Sequence, residues 1–306
     1  VSDKTAIEWT DATWNPTTGC TQVSPGCDHC YALTLSERFR GTPGHYFENG
    51  FDVQLRPDKL DQPLRWKKPR RIFVNSMSDL FHDDIPEEYI SQVFAVMSAA
   101  KQHTFQLLTK RHGRMRSLLN SERFRKAVLR EWLFGEMIPD DDTRPSWPLP
   151  NVWIGVSVEN QQWANIRIPA LLDTPAAVRF LSCEPLLGGV DLNVSSFIGG
   201  SWLEGLDWVI VGGESGRGAR PMKPDWARVL RDQVTNTGRI AFHFKQWGAY
   251  GSDGVLRPKH DNGRELDGRT WDEFPDECDG MDSPVDQLDL ERRTNPYDMD
   301  DDERRD

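Results

Sequence analysis

The chain has 306 residues, 37% of them hydrophobic, which is enough for the core of one large or two ordinary domains and excludes a small scaffold held by disulfides. Mean hydropathy is -0.63. No stretch reaches the roughly 18 to 20 apolar residues of a membrane span, and Val1, Ser2, Asp3 and Lys4 lead into no apolar segment, so a cytoplasmic protein without membrane contact is expected. The net charge of -11 is uneven: residues 271–306 carry 15 acidic and 4 basic groups, whereas residues 1–270 are balanced at 33 of each.

In chain order, a first strand is expected over Thr13 to Pro16, running into a loop with Cys20, Cys27 and Cys30 and then a helix from Tyr31 to Phe39. Short apolar runs rich in β-branched and aromatic residues follow: Arg71 to Asn75, Thr104 to Thr109, Val152 to Ser157, Val178 to Cys183, Trp208 to Gly212 and Ile240 to Phe244. Nearly continuous apolar runs of this length fit strands buried on both faces. Between them lie helical patterns. Tyr89 to Ala100 puts Ile90, Val93, Phe94 and Met97 on one face, and Trp163 to Leu172 and Asp225 to Val234 fill later connections. Prolines 139, 145, 148 and 150 mark an insertion over 136–150.

Six or seven βα units over about residues 10–248 predict a full or partial parallel (β/α) barrel, an α/β fold, with an open doubly wound sheet as the alternative. The expected division is a barrel domain over 1–250 and an acidic, largely disordered tail over 251–306. Polar or small residues follow each strand: Asn75-Ser76-Met77-Ser78-Asp79, Thr109-Lys110-Arg111, Ser157-Val158-Glu159-Asn160, Cys183-Glu184-Pro185, Gly212-Gly213-Glu214-Ser215 and Lys245-Gln246-Trp247. Such a ring at one rim is what a polar pocket requires.

Three of the five cysteines fall within eleven residues, as Cys-x6-Cys-x2-Cys, and Cys183 and Cys278 stand apart. Thiols this close in a reducing compartment point to a shared metal. Structural zinc would need a fourth ligand such as His29, His82 or Cys183, whereas an iron-sulfur cube accepts three cysteines and leaves one iron open.

The segments Trp14-Asn15-Pro16-Thr17-Thr18-Gly19-Cys20 and Gly26-Cys27-Asp28-His29-Cys30-Tyr31-Ala32 resemble the phage Gp37/Gp68 family (DUF5131), which is itself similar to radical S-adenosylmethionine enzymes. The resemblance continues through Phe73 to Phe81, Leu107 to Arg111, Gly155 to Asn160, Ser182 to Leu186, Val211 to Gly216 and Phe244 to Gly248, covering about residues 5–250. It implies that Cys20, Cys27 and Cys30 hold a [4Fe-4S] cluster, although the common spacing in those enzymes is Cys-x3-Cys-x2-Cys. It further implies S-adenosylmethionine as cofactor, cleaved to a 5'-deoxyadenosyl radical, and an electron donor of the ferredoxin or flavodoxin type. Asn75, Ser76, Ser78 and Asp79 occupy the strand end where that superfamily usually carries Gly-Gly-Glu, and are candidates for the methionine moiety. Ser157, Glu159 and Asn160 are candidates for the ribose. Cys183 and Lys245 are the substrate-side candidates, Cys183 either as hydrogen donor or as a buried core thiol, and Trp247 either lines that side or joins the core.

Two basic clusters interrupt the balanced body: Arg65, Lys67, Lys68, Arg70 and Arg71 around Trp66, and Lys110, Arg111, Arg114 and Arg116. Basic groups interleaved with an aromatic suit a phosphate backbone and a stacked base. With the phage occurrence of the relatives, Lys67, Lys68, Arg70, Arg71, Lys110 and Arg111 become candidates for binding single-stranded DNA or RNA, and repair or modification of a nucleic-acid base or nucleotide becomes the expected activity. The alternative is a zinc-bearing nucleic-acid binding protein without catalysis. Oligomeric state is not legible in the sequence.

Overall fold

The computed structural model of the chain describes Thr5 and residues 7–134, 145–194 and 200–275. It opens with β1 (Ala12–Trp14), followed by β2 (Thr17–Thr18), the cysteine loop and α1 (Tyr31–Glu37); β3 (Gln54–Leu55) pairs antiparallel with β2. A repeating pattern then begins: β4 (Arg71–Val74), α2 (Glu87–Ala99), β5 (Thr104–Thr109), α3 (His112–Leu119), α4 (Glu122–Phe134), β6 (Val152–Ser157), α5 (Gln161–Leu172), β7 (Val178–Cys183), β8 (Trp208–Gly212), α6 (Pro224–Thr235) and β9 (Ala241–Gln246). The described chain ends with α7 (Lys259–Asn262), β10 (Glu265–Leu266) and β11 (Arg269–Thr270). The strands agree with the expected apolar runs to within two residues, whereas the helices α3 and α4 were not anticipated.

Seven strands form one sheet in the order β1-β4-β5-β6-β7-β8-β9, parallel at every junction. A doubly wound sheet reverses its strand order at a switch point. Here spatial order follows chain order throughout, so the open doubly wound alternative falls and the fold is a partial parallel barrel. Side-chain parity agrees. Val74, Leu107, Val156, Leu181, Val211 and Phe244 pack with Ile90, Val93, Ile168 and Leu230 of the helices. The opposite parity, Phe73, Trp153, Phe180, Trp208 and Ile210, joins Trp9 in a second cluster that draws on no helix. Helices α2 to α6 therefore cover the convex face, and the concave face is filled by strand side chains together with Trp9 and Phe274.

Local chemistry fixes the connections. Asn160 caps α5 by accepting from the Trp163 N–H at 3.3 Å, and Pro224 starts α6 at a position where no N–H is needed. Glu87 and Glu88 sit in the first turn of α2, where the helix dipole favours negative charge.

The compact unit runs to Pro275. Residues 251–275, which the sequence groups with the acidic tail, include a segment that lies antiparallel beside β9. The Phe244 N–H donates to the Trp271 carbonyl at 2.9 Å, and His243 bridges Asp272. Phe274 then stacks against Trp208 on the concave face, ring centroids 5.2 Å apart. The rest of the acidic tail, 276–306, lies outside the described residues, as do residues 136–144 of the proline-rich insertion. Among the described residues no helix is long and apolar enough to cross a membrane.

Candidate functional site

The carboxyl ends of β1 and β4 are joined by a polar network. The Asn75 amide donates to the hydroxyls of Thr17 and Ser78, both at 2.6 Å, and the Ser78 hydroxyl donates to the Thr17 carbonyl at 2.9 Å. Asn15 donates to the Ser76 hydroxyl at 3.0 Å and accepts from the Met77 N–H at 2.9 Å. Asn75 is 4% exposed, and its Oδ1 is buried with no hydrogen-bond partner among the described residues. An orphaned buried acceptor costs roughly 1–3 kcal/mol, so this oxygen is suited to receive a donor from a ligand.

Asp79 has a different role from the one expected. Its carboxylate accepts from the Phe81 N–H at 3.1 Å, the Thr109 hydroxyl at 2.7 Å and the Lys110 N–H at 2.9 Å. It fastens the end of β4 to the end of β5, and both of its oxygens are engaged. Asn160 is likewise occupied as the α5 cap.

Glu159 is fully buried, bound to the equally buried Arg167 at 2.9 Å. Burial holds the Arg167 guanidinium below its ordinary range, against the pull of Glu159. Arg167 also donates to the Ser157 carbonyl at 2.9 Å and stacks over the Trp163 ring. The other Glu159 oxygen accepts from the Ser24 hydroxyl at 2.6 Å, so this carboxylate faces the cysteine loop. Lys110 reaches inward, donating to the Ser157 hydroxyl at 3.2 Å and lying 3.8 Å from Glu159.

The cysteine loop leaves β2 and crosses this ring. Cys20, Cys27 and Cys30 are free thiols of intermediate exposure. Burial and nearby Asp79 push the Cys20 thiol up to about 11, opposed by Arg111, whose guanidinium approaches the sulfur at 4.0 Å. Arg111 also donates to the Thr21 hydroxyl at 2.7 Å and carbonyl at 3.2 Å. From the β8 side, Arg220 donates to the Pro25 carbonyl at 2.7 Å and to Asp28 at 3.0 Å, while Glu214 accepts three bonds from it. Among the described residues no three His, Cys, Asp or Glu side chains converge as a single metal ion needs.

Two of the three fourth-ligand candidates for zinc are engaged elsewhere. The His82 Nδ1 accepts from the Asp84 N–H at 3.1 Å, and its Nε2 lies 2.9 Å from the Thr21 hydroxyl; burial lowers its pKa. Cys183 points away from the rim. It shares the parity of Leu181, is fully buried in the helix-facing core, and burial raises its thiol pKa. The hydrogen-donor role expected for Cys183 therefore gives way to its core reading. Trp247 is also core, donating to the Glu265 carbonyl at 2.8 Å.

Lys245 does lie on the concave side, paired with Glu184 at 3.0 Å. A Cβ on Gly212 would come within 2.5 Å of that Glu184 oxygen, so glycine makes room for the pair.

The two basic clusters do not form one surface. Lys67, Lys68 and Arg70 precede β4 and Arg71 opens it, all toward its amino end, whereas Lys110 and Arg111 follow the parallel strand β5 at its carboxyl end. A six-residue strand separates its ends by about 20 Å. Trp66 is buried rather than open for stacking, Arg70 lies over its ring, and Arg71 covers Phe274. Arg111 is engaged with the cysteine loop, and Arg114 donates to the carbonyls of His82 and Ile85.

Several contributors escape sequence reasoning. Arg167 had a signal: it sits among Ala164, Ile168 and Leu171 on a buried helical face, where a charge requires a partner. Arg220 and Ser24 had none, because the bonds that join Arg220 to Pro25 and Ser24 to Glu159 each span more than a hundred residues.

No curated protein matches the chain. Two solved structures are similar at low level. One is spore photoproduct lyase complexed with dinucleoside spore photoproduct, 11% identical with a TM-score of 0.36. The other is a cysteine-to-alanine mutant of that lyase with the same ligand, 13% identical with a TM-score of 0.34. Each comparison covers 73% of this chain, which spans only 60% of the lyase chain. A family model, described as "Protein of unknown function (DUF5131)", matches residues 4–275, and the chain belongs to that family.

Proposed function

We propose that the chain is a radical S-adenosylmethionine enzyme of the phage Gp37/Gp68 type, acting on a nucleic-acid base or nucleotide in repair or modification. The observation that carries the reading is the three-thiol loop, which follows β2 beyond the carboxyl end of β1 in a singly wound parallel sheet and lies over a ring of buried polar groups. Cys20, Cys27 and Cys30 would hold a [4Fe-4S] cluster: three thiols on one loop, with a guanidinium beside one of them, match the donors and compensating charge it needs. With S-adenosylmethionine bound, such a cluster supplies reductive cleavage of the sulfonium and a carbon radical for hydrogen abstraction.

The chain's own residues bind and orient. Asn75 Oδ1 is the acceptor for the methionine ammonium, with Ser76 and Ser78 beside it. The Ser157 hydroxyl is the candidate for the ribose, while Asp79, Glu159 and Asn160 position other groups rather than touch the cofactor. The aromatic floor of the concave face excludes water from below. Lys110 and Lys245 are the cations at the mouth for an anionic nucleotide, and Lys67 and Lys68 at the far end are left out of that contact. A ferredoxin- or flavodoxin-type protein is the proposed electron donor.

The test is anaerobic purification with iron, sulfide and zinc analysis, optical and electron paramagnetic resonance spectra with dithionite and S-adenosylmethionine, and a parallel Cys27→Ala variant. Wild type is expected to be brown, with a broad band near about 400 nm. Its reduced signal should change on adding the cofactor, and Cys27→Ala should lose iron while keeping its fold. Colourless protein with stoichiometric zinc sinks the radical reading and leaves the zinc-bearing binding protein.

A further inference from the structure

Within itself the cysteine loop has little to hold its shape. Its backbone bonds are a short 3-10 turn: Cys27 N–H to the Ser24 carbonyl at 2.9 Å, Asp28 N–H to Pro25 at 3.2 Å and Cys30 N–H to Cys27 at 3.3 Å. One such turn is not stable alone. Within the loop the Gln22 amide adds one bond, to the Cys27 carbonyl at 3.1 Å; the other restraints come from across the sheet, where Arg111 holds Thr21. Glu159 takes the Ser24 hydroxyl at 2.6 Å, and a Cβ on Gly26 would lie 2.5 Å from the same oxygen, so the loop rests directly on the carboxylate. Arg220 grips the Pro25 carbonyl and Asp28 from the other side. Each holder is itself fixed, Glu159 by buried Arg167 and Arg220 by three bonds to Glu214, which is 6% exposed.

We infer that Glu159 and Arg220 are positioning residues that shape the cysteine loop before any metal arrives, so that polypeptide presents the thiols and metal does not have to gather them. The inference rests on the proposed function only in taking this loop as the working element; it holds for the metal-free chain. Arg220 uses both edges of its guanidinium at once, and a lysine ammonium has neither the fork nor the reach to replace it.

The experiment uses the full chain, reduced and stripped of metal by chelator, as wild type, Arg220→Ala, Arg220→Lys, Ser24→Ala and the surface control Arg228→Ala. Amide exchange over residues 21–30 and the alkylation rates of Cys27 and Cys30 are followed by mass spectrometry. Iron with sulfide is then supplied, and the line shape of the reduced paramagnetic signal is recorded. Arg220→Ala and Ser24→Ala should speed loop exchange about tenfold, as losing one or two hydrogen bonds predicts. Exchange elsewhere should match Arg228→Ala. Arg220→Lys should stay close to Arg220→Ala, and in both the line shape should broaden. Should Arg220→Ala fail to fold, Ser24→Ala, which deletes one loop hydroxyl, decides alone. Loop exchange already fast in wild type, or unchanged in the variants, overturns the inference. Wild type that takes up no iron defeats the proposed function and leaves the exchange result to judge this one.

Discussion

The two ends of the concave face are both dry, yet they are built from opposite materials. At the amino end, Trp9 meets Phe73 and Trp208 edge-on at 4.7 and 6.0 Å, and Trp153, Phe180 and Phe274 surround Trp208 at 5.9, 5.6 and 5.2 Å. At the carboxyl end Glu159, Arg167, Asp79 and Glu214 are buried just as deeply, each tied by directional bonds. Most of the stabilisation from aromatic burial is non-directional, whereas buried ions offset their desolvation only through well-formed bonds, and Arg167 leaves Nε and Nη2 without a partner among the described residues. The barrel thus separates its cohesion from its geometry: the floor holds the strands together, and the rim fixes where loops stand.

The sharpest way to break that comparison is to damage each end in turn. Trp208→Ala should cost toward about 5 kcal/mol, the upper part of the range for emptying a packed aromatic site, in urea unfolding. Iron bound per folded molecule should stay at the wild-type level. Glu159→Gln leaves the Arg167 charge buried without its counterion and should cost about 3–4 kcal/mol, with iron retention falling as well. Equal iron loss in both variants would erase the distinction between floor and rim.

A third, smaller effect sharpens it through pH. His243 lies on the concave side between Trp208 and Phe274, with no hydrogen bond to either ring nitrogen among the described residues, and burial pulls its pKa from 6.5 down to about 4. The unfolded chain binds that proton more readily, so the contribution is complete above about pH 6.5 and is lost as pH falls toward 4. The loss should amount to at most about 3 kcal/mol. His243→Phe should flatten the slope of stability between those pH values; an unchanged slope would move the titration to other groups.

Much of this was legible from pattern. The runs from Thr104 to Thr109 and from Val152 to Ser157 coincide with strands because strands buried on both faces need continuous apolar sequence. The ring of polar strand ends follows from parallel topology. Individual roles were not legible, because they depend on where a side chain finds its partner. Asp79 and Asn160 look like ligand-binding groups, but nearby backbone N–H groups claim them. Cys183 belongs to the core because strand parity, which a one-residue shift reverses, turns it outward. The two basic clusters were expected to serve one nucleic-acid contact, and the direction of β4 and β5 sends them to opposite ends.

The segment beside β9 carries a practical consequence. The last strand of an open parallel sheet offers a bare row of backbone groups on which a second chain could grow. Residues 271–273 occupy part of that row, and Phe274 reaches beneath Arg71 near the first-laid strands. A truncation or fusion junction placed at residue 250, where the apolar runs end, would strip off this guard and invite self-association. A junction after Pro275 keeps it.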